Sequence, residues 1–159
     1  MKIYYGSQLG NSKEIALDIY HRILELVDEN KDIVIENQIG ISELNKINTD
    51  DEIDHESIII CSTTGNGDVP DNALKFWTMI RKRSLPKDYY NSLNYLILGL
   101  GDSNYNYFCG ASKKISKRLK ELGATELYPL LTIDDVDGDY DEKIDEFVDL
   151  IKKYLLIKN

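Results

Sequence analysis

The apolar residues of the chain fall into two patterns that alternate along its 159 residues. Short runs without polar alternation predict five buried strands, at residues 2–5, 33–35, 57–62, 95–100 and 126–131. Apolar residues three and four apart predict four helices, which carry Ile15, Leu74, Ile115 and Phe147 among the residues of this pattern. Residues 40–55 are mostly polar and predict a connection that contains one helical turn.

Strands that alternate with helices predict the fold class α/β, a doubly wound parallel sheet with helices on both faces. Asp71 or Asn72 is expected to cap the second helix, and Gly123 to end the third. The sequence shows no repeat, linker or low-complexity tract, so residues 1–159 are expected to form one domain. In such folds ligands bind at the carboxyl ends of the strands, near the topological switch point.

The formal net charge of −9 limits which kinds of molecule the protein is expected to bind. A surface this acidic repels nucleic acid and anionic lipid and favours a protein with a basic docking face. No apolar run approaches the roughly 20 residues of a membrane span, and Met1 leads almost directly into a strand, so no signal peptide is expected. Cys61 and Cys109 form no disulfide framework or metal-binding pattern. These features predict a monomeric cytoplasmic protein with reduced thiols.

The first loop, residues 6–12 (GSQLGNS), joins a strand to a helix. Unpaired N–H groups and the helix dipole favour an anion there, although the loop contains no lysine or arginine. The phosphate-loop and dinucleotide fingerprints are both absent, which argues against a triphosphate or dinucleotide. The loop suits a phosphate monoester held mainly by backbone, with Ser7, Asn11 and Ser12 as possible side-chain donors. The alternative is an ordinary turn with a serine cap.

Two further loops follow the third and fourth predicted strands and therefore meet the first loop at one edge of the sheet. The second loop, residues 62–70 (STTGNGDVP), contains two glycines that would let its backbone approach a flat ligand, although it could also be a plain Asn-Gly turn. The third loop, residues 101–109 (GDSNYNYFC), contains three aromatic residues. An aromatic there could stack on a planar ring, and Phe108 is the one expected to anchor the loop to the core.

The remaining chemically active residues suggest no catalysis. His21 and His55 lie away from the three loops and are expected at the surface. The acidic stretch at residues 134–138 lacks EF-hand spacing, and solvated charge near a helix N-terminus explains it. We therefore predict neither a catalytic residue nor a metal site.

Taken together, the segments YGSQLGNSKEIA, STTGNGDVPDNALKFW and LGLGDSNYNYF resemble the FMN-binding, flavodoxin-like domain of the diflavin reductases. Within that family the second and third segments are most similar to the methionine synthase reductase and NADPH-dependent diflavin reductase groups. The resemblance covers nearly the whole chain in the right order. It implies a flavodoxin-like five-stranded parallel sheet of order 2-1-3-4-5 and FMN as the cofactor.

The resemblance also implies roles for individual residues. Residues 7–12 would wrap the FMN phosphate, and residues 63–68 would cover one side of the isoalloxazine, with a peptide at Gly65 that can flip to hydrogen-bond the flavin N5. Tyr105 matches the aromatic residue that stacks on the opposite ring face. The cofactor-binding residues implied in this way are Ser7, Gln8, Leu9, Gly10, Asn11, Ser12, Thr63, Thr64, Gly65, Asn66, Gly67, Leu100, Gly101, Asp102, Asn104, Tyr105, Tyr107, Phe108 and Asp134.

Three positions depart from the family pattern. Leu9 and Asn11 stand where much of the family has threonines, and Thr64 stands where many members have a stacking tyrosine. The sequence ends at Asn159 with no FAD or NADPH module, which predicts either a stand-alone carrier or one domain of a longer reductase.

The predicted function is the relay of single electrons from an FAD/NADPH reductase to a metal-centre acceptor protein, with partners docking on an acidic rim of Asp68, Asp71, Asp102 and Asp134. The main alternative is a flavin-free interaction module on the same fold. A phosphorelay receiver is set aside because Gly6-Ser7 and Cys61-Ser62 stand where that class needs carboxylates. A stand-alone quinone reductase would need a nicotinamide site, and no fingerprint for one is present.

Overall fold

Strands and helices alternate along the chain in the computed structural model, which describes residues 1–33, 35, 39–47 and 55–158. The strands are β1 (Lys2–Gly6), β2 (Gly40–Glu43), β3 (Glu56–Ser62), β4 (Asn94–Gly101), β5 (Thr125–Glu126) and β6 (Leu131–Asp134). The helices are α1 (Asn11–Glu29), α2 (Asp71–Ile80), α3 (Gly110–Glu121) and α4 (Tyr140–Lys158), and a 3₁₀ turn spans Leu44–Lys46. This 3₁₀ turn is the helical turn predicted between residues 40 and 55.

All the strands pair in parallel, in the order β2-β1-β3-β4-β5, and β6 also pairs with β4. This arrangement confirms the predicted α/β class and the order 2-1-3-4-5. Strand β1 lies between β2 and β3, so the chain reverses its direction of winding there. The register pairs Gly6 with Cys61 and Ser62 with Leu100, which brings the ends of β1, β3 and β4 to one edge.

Each face of the sheet is covered by its own apolar core. Helices α1 and α4 pack on one face, where Ile19 and Phe147 are buried. Helices α2 and α3 and the 3₁₀ turn pack on the other face, where Phe76 and Ile115 are buried. A parallel sheet covered in this way needs strands that are apolar on both sides, which explains the continuous run SIIICS in β3. In the described part of the chain, no helix is both long enough and apolar enough to cross a bilayer.

The two outer strands differ from the sequence prediction. The second strand is Gly40–Glu43, not residues 33–35; Ile33 is buried outside any strand, and Val34 lies outside the described residues. The sequence GISE of β2 is only half-buried because the strand lies at the sheet edge, so it forms no apolar run. The fifth strand is interrupted between β5 and β6, and Pro129 within the interruption cannot donate a ladder hydrogen bond.

The ends of helices α2 and α3 test the helix caps that were predicted from the sequence. Helix α2 begins at Asp71 with Pro70 in the N-cap position, so the prediction that Asp71 or Asn72 caps it was wrong. Proline offers no side-chain acceptor, and the first N–H groups of α2 must find partners elsewhere. Gly123 follows the C-cap residue Leu122 of α3 with φ 90°, which confirms the predicted helix end.

The last turn of α4 is tied to the start of β3 through Glu56. The Tyr154 hydroxyl donates to Glu56 Oε1 at 2.8 Å, and the Lys158 ammonium forms an ion pair with the same carboxylate. Burial alone would raise the pKa of Glu56, but the contacts with Lys158 and Tyr154 outweigh burial and lower it. The ionised carboxylate therefore stabilises the folded protein.

Replacing Glu56 with glutamine is expected to lower the free energy of unfolding by about 1 kcal/mol at neutral pH. A lowered carboxyl pKa contributes stability above the ordinary value of roughly 4.3 and loses it as the pH falls through the folded-state value. Urea denaturation of E56Q should therefore show a deficit that shrinks in acid. The control is E146Q, because Glu146 forms an ion pair with Lys143 at the exposed surface of helix α4. A deficit that does not depend on pH would contradict this account.

Candidate functional site

The three loops that follow β1, β3 and β4 converge at the carboxyl edge of the sheet, as the fold rule predicts. They enclose a pocket of about 390 Å³, a size typical of small-molecule sites. Of the residues predicted to bind the cofactor, those that line it are Ser7, Gln8, Leu9, Asn11, Thr63, Thr64, Gly65, Leu100, Gly101, Asp102, Tyr105, Tyr107 and Phe108.

The other predicted residues lie beside the pocket without lining it: Gly10, Ser12, Asn66, Gly67, Asn104 and Asp134. Four lining residues were not predicted: Ser62, Cys109, Asp135 and Tyr140. Ser62 and Cys109 are the first residue of the second loop and the last residue of the third loop, so the predicted set of cofactor-binding residues could have included them. Asp135 belongs to the acidic stretch at residues 134–138, which was interpreted as solvated charge, and nothing in the sequence singles out Tyr140.

The first loop is built around the side chain of Ser7. Ser7 Oγ accepts the N–H of Gly10 at 2.8 Å and the N–H of Ser12 at 3.3 Å. Gly10 adopts a left-handed conformation (φ 99°) in the N-cap position of α1 and, as a glycine, has no side chain that could cap the helix. The N-terminus of α1 therefore faces the loop with N–H groups that suit an anion.

Ser12, in the first turn of α1, has an unsatisfied hydroxyl. Its side chain is fully buried, and its Oγ has no hydrogen-bond partner among the described residues. Buried polar groups are nearly always hydrogen-bonded, because leaving one unpaired costs about 1–3 kcal/mol. An acceptor oxygen placed in the first loop would supply the missing partner, so the orphaned hydroxyl favours a bound anion.

The second loop is closed by two backbone hydrogen bonds between Thr64 and Asp68. The N–H of Thr64 donates to the carbonyl of Asp68 at 3.0 Å, and the N–H of Asp68 donates to the carbonyl of Thr64 at 2.8 Å. Gly65 and Gly67 have positive φ values of 48° and 85°, and Asn66 is exposed at the tip. Glycine adopts positive φ values without steric cost, which explains why these two positions are glycines.

Helix α3 supports the second loop from behind. Lys114 Nζ donates to the carbonyl of Gly67 at 2.8 Å, and Thr63 Oγ1 accepts the N–H of Ala111 at 3.3 Å. A Cβ atom added to Gly110 would lie 2.7 Å from the Cα of Gly67, so the helix and the loop meet backbone to backbone. The loop geometry therefore depends on the start of α3.

The third loop presents two exposed aromatic side chains to the pocket. Tyr105 is 58% exposed and Tyr107 is 62% exposed, although both line the pocket. Phe108 is half-buried under the ammonium of Lys113, which lies 5.3 Å from its ring centroid. Two tyrosine rings left in solvent beside a pocket offer apolar faces on which a planar ligand can stack.

The neighbouring residues Asp134 and Asp135 make different contacts at the edge of the pocket. Asp134 Oδ1 accepts the N–H groups of Ser103 at 3.0 Å and Val136 at 3.1 Å, and the bond from Ser103 holds the pKa of Asp134 below its usual range. Asp135 lines the pocket and accepts a hydrogen bond from the Tyr140 hydroxyl. Burial raises the pKa of Asp135, and Asp102 and Asp134 raise it further. Asp134 thus supports the third loop, while Asp135 faces the ligand space.

Cys109 occupies a strained position at the back of the pocket. It is the N-cap of α3 and adopts a left-handed conformation (φ 52°) that residues other than glycine and asparagine rarely take. Its thiol is buried, and burial raises the pKa of Cys109 to about 12. The group is therefore a protonated thiol at neutral pH and is no candidate nucleophile.

Comparison with known proteins identifies relatives over most of the chain. Residues 3–147 match the family described as Flavodoxin. Methionine synthase reductase from Bos taurus is 38% identical over 142 residues, which cover 86% of this chain and 19% of that protein. NADPH-dependent diflavin oxidoreductase 1 from Danio rerio is 36% identical over 134 residues, covering 84% and 21%. The chain spans about a fifth of the length of these curated relatives.

Solved structures give the same fold. A mutant flavodoxin from Pseudomonas aeruginosa superposes with a TM-score of 0.67 at 27% identity, covering 96% of this chain and 99% of that chain. A short-chain flavodoxin associated with a non-canonical PDU bacterial microcompartment gives a TM-score of 0.70 at 19% identity, covering 97% of each chain. The second likeness supports the fold alone.

Proposed function

Since the chain belongs to the flavodoxin family, we propose that it binds FMN in the pocket formed by its three loops and serves as an electron-transfer domain. The family binds FMN, and the bound flavin supplies the one-electron chemistry while the protein holds and tunes it. The observation that carries the proposal is the convergence of an anion-binding helix N-terminus with two exposed tyrosines around one pocket.

The first loop fits a phosphate monoester. The buried hydroxyl of Ser12 lacks an acceptor, which a phosphate oxygen would provide. Helix α1 begins within the same loop, and N–H groups at a helix N-terminus can hold an anion without a lysine or arginine. The departures at Leu9 and Asn11 remove two possible hydroxyl contacts, so backbone groups and the two serines would carry most of the binding.

The second and third loops fit a flat ring system. Thr64 and Gly65 line the pocket from the second loop, and Tyr105 and Tyr107 line it from the third. Asp102 and Asp135 place carboxyl groups beside the same space. Carboxylates near the ring repel the negative charge that the flavin gains on reduction. These residues would therefore lower the reduction potential of the bound cofactor.

Replacing Tyr105 with alanine is expected to weaken FMN binding by about 10-fold to 100-fold, the usual worth of stacking a planar ring on an aromatic side chain. Y105F should bind nearly as tightly as the unchanged protein, because it keeps the ring and loses only the hydroxyl. The dissociation constants can be read from quenching of FMN fluorescence. Y107A is the matched comparison, and a larger loss in that variant would assign the stacking role to Tyr107 instead.

The names of the relatives suggest which partners exchange electrons with this domain. We propose that an FAD/NADPH reductase module, fused or separate, supplies electrons and that a protein with a metal centre accepts them. Four carboxylates lie around the pocket: Asp68 and Asp102 on the second and third loops, Asp71 at the start of α2 and Asp134 at the end of β6. They would attract an acceptor with a basic docking face and orient it toward the flavin.

This acidic rim predicts strong dependence of electron transfer on salt. The rate of reduction of a basic haem protein such as cytochrome c should fall at least about tenfold between low and high ionic strength, because salt screens the attraction. D68N should lower the rate at low salt and flatten the dependence. D149N, which removes an exposed charge from α4, is the matched control. Rates that do not change with salt would count against docking through the rim.

The absorption spectrum of the purified protein, recorded before and after addition of FMN, tests the central proposal. Flavin bands together with quenched FMN fluorescence are expected, and riboflavin in a parallel titration reports how much the phosphate contributes. Failure of the folded protein to bind FMN in excess would overturn the proposal. That result would favour the alternative, a flavin-free interaction module, for which the 89% exposure of Leu9 is the supporting observation.

A further inference from the structure

The N-terminus of α2 contacts the first loop through two side-chain links. Asn72 Oδ1 accepts the N–H of Ser7 at 2.6 Å. Gln8 Oε1 accepts the N–H of Asp71 at 3.1 Å, and Gln8 Nε2 donates to Asp71 Oδ2 at 3.1 Å. These links join residues more than 60 positions apart in the chain. The N–H of Asp71 thus finds an acceptor that its proline N-cap cannot offer.

The first loop depends on this outside support. Its side chains provide one internal acceptor for its backbone, Ser7 Oγ, which holds the N–H groups of Gly10 and Ser12. The exposed Leu9 adds no polar contact, and open space surrounds the Cβ position of Gly10. The position of Ser7 therefore sets the position of the loop. The side chain of Asn72 holds Ser7 in place by accepting its backbone N–H.

The start of helix α2 is also held by the 3₁₀ turn. Asn45, in the 3₁₀ turn, accepts the N–H of Lys75 at 2.8 Å and donates to the carbonyl of Asp71 at 2.7 Å. The start of α2 is therefore fixed from the side of the 3₁₀ turn as well as from the first loop. A rigid support of this kind can hold a loop in its binding conformation before the ligand arrives.

We propose that Asn72 is a positioning residue for the phosphate of FMN, and that it acts through Ser7 without touching the cofactor. Asn72 does not line the pocket, whereas Ser7 does. The paired contacts of Gln8 and Asp71 hold the next residue of the loop in the same way. This inference rests on the proposed binding of FMN. It predicts that the loss of Asn72 penalises the phosphate of the ligand and spares the ring.

The test compares FMN with riboflavin, which lacks the phosphate. Asn72→Ala leaves the Ser7 N–H without its acceptor, and the expected result is FMN binding weaker by about 10-fold to 100-fold. The affinity of the same variant for riboflavin should stay unchanged. Asn72→Asp keeps an acceptor oxygen in place, so it should recover most of the FMN affinity at high salt, where its added charge is screened. Thr78→Ala, at an exposed position of α2, is the matched control.

The outcomes separate this inference from the proposed function. If the unchanged protein does not bind FMN, the proposed function fails before any variant is compared. If it binds FMN and Asn72→Ala loses affinity for FMN and riboflavin equally, or for neither, the positioning role is overturned. Should Asn72→Ala fail to fold, Asn72→Ser replaces it, because the shorter side chain cannot reach Ser7 as Asn72 does. Selective loss of FMN affinity in either variant supports the role.

Discussion

Replacing Gly67 with alanine should disrupt the second loop and weaken FMN binding by about 100-fold, which corresponds to roughly 3 kcal/mol. A Cβ atom at Gly67 would lie 2.6 Å from the Cβ of Tyr107, closer than carbon atoms can pack. The φ of 85° would add strain, because the left-handed region costs a residue with a side chain roughly 1–2 kcal/mol. Loop and tyrosine must move apart, and both line the space for the ring.

The control for Gly67→Ala is Gly138→Ala. Gly138 also has a positive φ, 67°, but nothing lies within 4 Å of its Cβ position. This variant therefore measures backbone strain without a clash, and we expect a loss of about 1 kcal/mol in the free energy of unfolding with FMN affinity retained. Urea denaturation and FMN titration of both variants give the comparison. Equal effects on FMN binding would show that the contact with Tyr107 is unimportant.

The central part of the fold could be predicted from the sequence because parallel strands covered on both faces are continuous apolar runs. Strands β1, β3 and β4 follow this rule. The edge strand β2 does not, since its side chains are half-buried and its sequence has no run to detect. The outer segments β5 and β6 were merged into one strand because their pairing with β4, and not their composition, defines them.

The site could be predicted where its residues are contiguous in a loop with a family pattern. Its remaining parts depend on contacts between distant segments. Asn72 and Asp71 were taken for helix caps by a local rule, yet they serve the first loop across the structure. Asp135 lines the pocket and its predicted neighbour Asp134 does not, because of how the chain turns after β6. No sequence rule would place Cys109 in a left-handed conformation, which favours glycine and asparagine.

Ser12 links the stability of the free protein to the binding of its ligand. Its buried hydroxyl has no partner among the described residues, which costs the ligand-free protein stability. Sites that are suboptimal for folding are often those shaped for a ligand. Ser12 therefore predicts effects of opposite sign on stability and on binding, which an ordinary structural serine would not show.

Replacing Ser12 with alanine should raise the free energy of unfolding of the ligand-free protein by about 1 kcal/mol, because the unpaired hydroxyl is removed. The same change should weaken FMN binding about tenfold or more, since a donor to the phosphate is lost. Urea denaturation without ligand and fluorescence titration with FMN measure the two effects.

Ser112 provides the matched control for this experiment. It is also fully buried and lies in the first turn of α3, but its hydroxyl donates to the carbonyl of Cys109 at 3.0 Å. Ser112→Ala should therefore lower the free energy of unfolding by about 1 kcal/mol, while any gain in helix propensity is common to both variants and cancels. If Ser12→Ala instead loses stability as Ser112→Ala does, the hydroxyl of Ser12 has a partner within the protein. If FMN affinity is unaffected, that hydroxyl does not contact the phosphate, and the backbone of the first loop holds the anion without it.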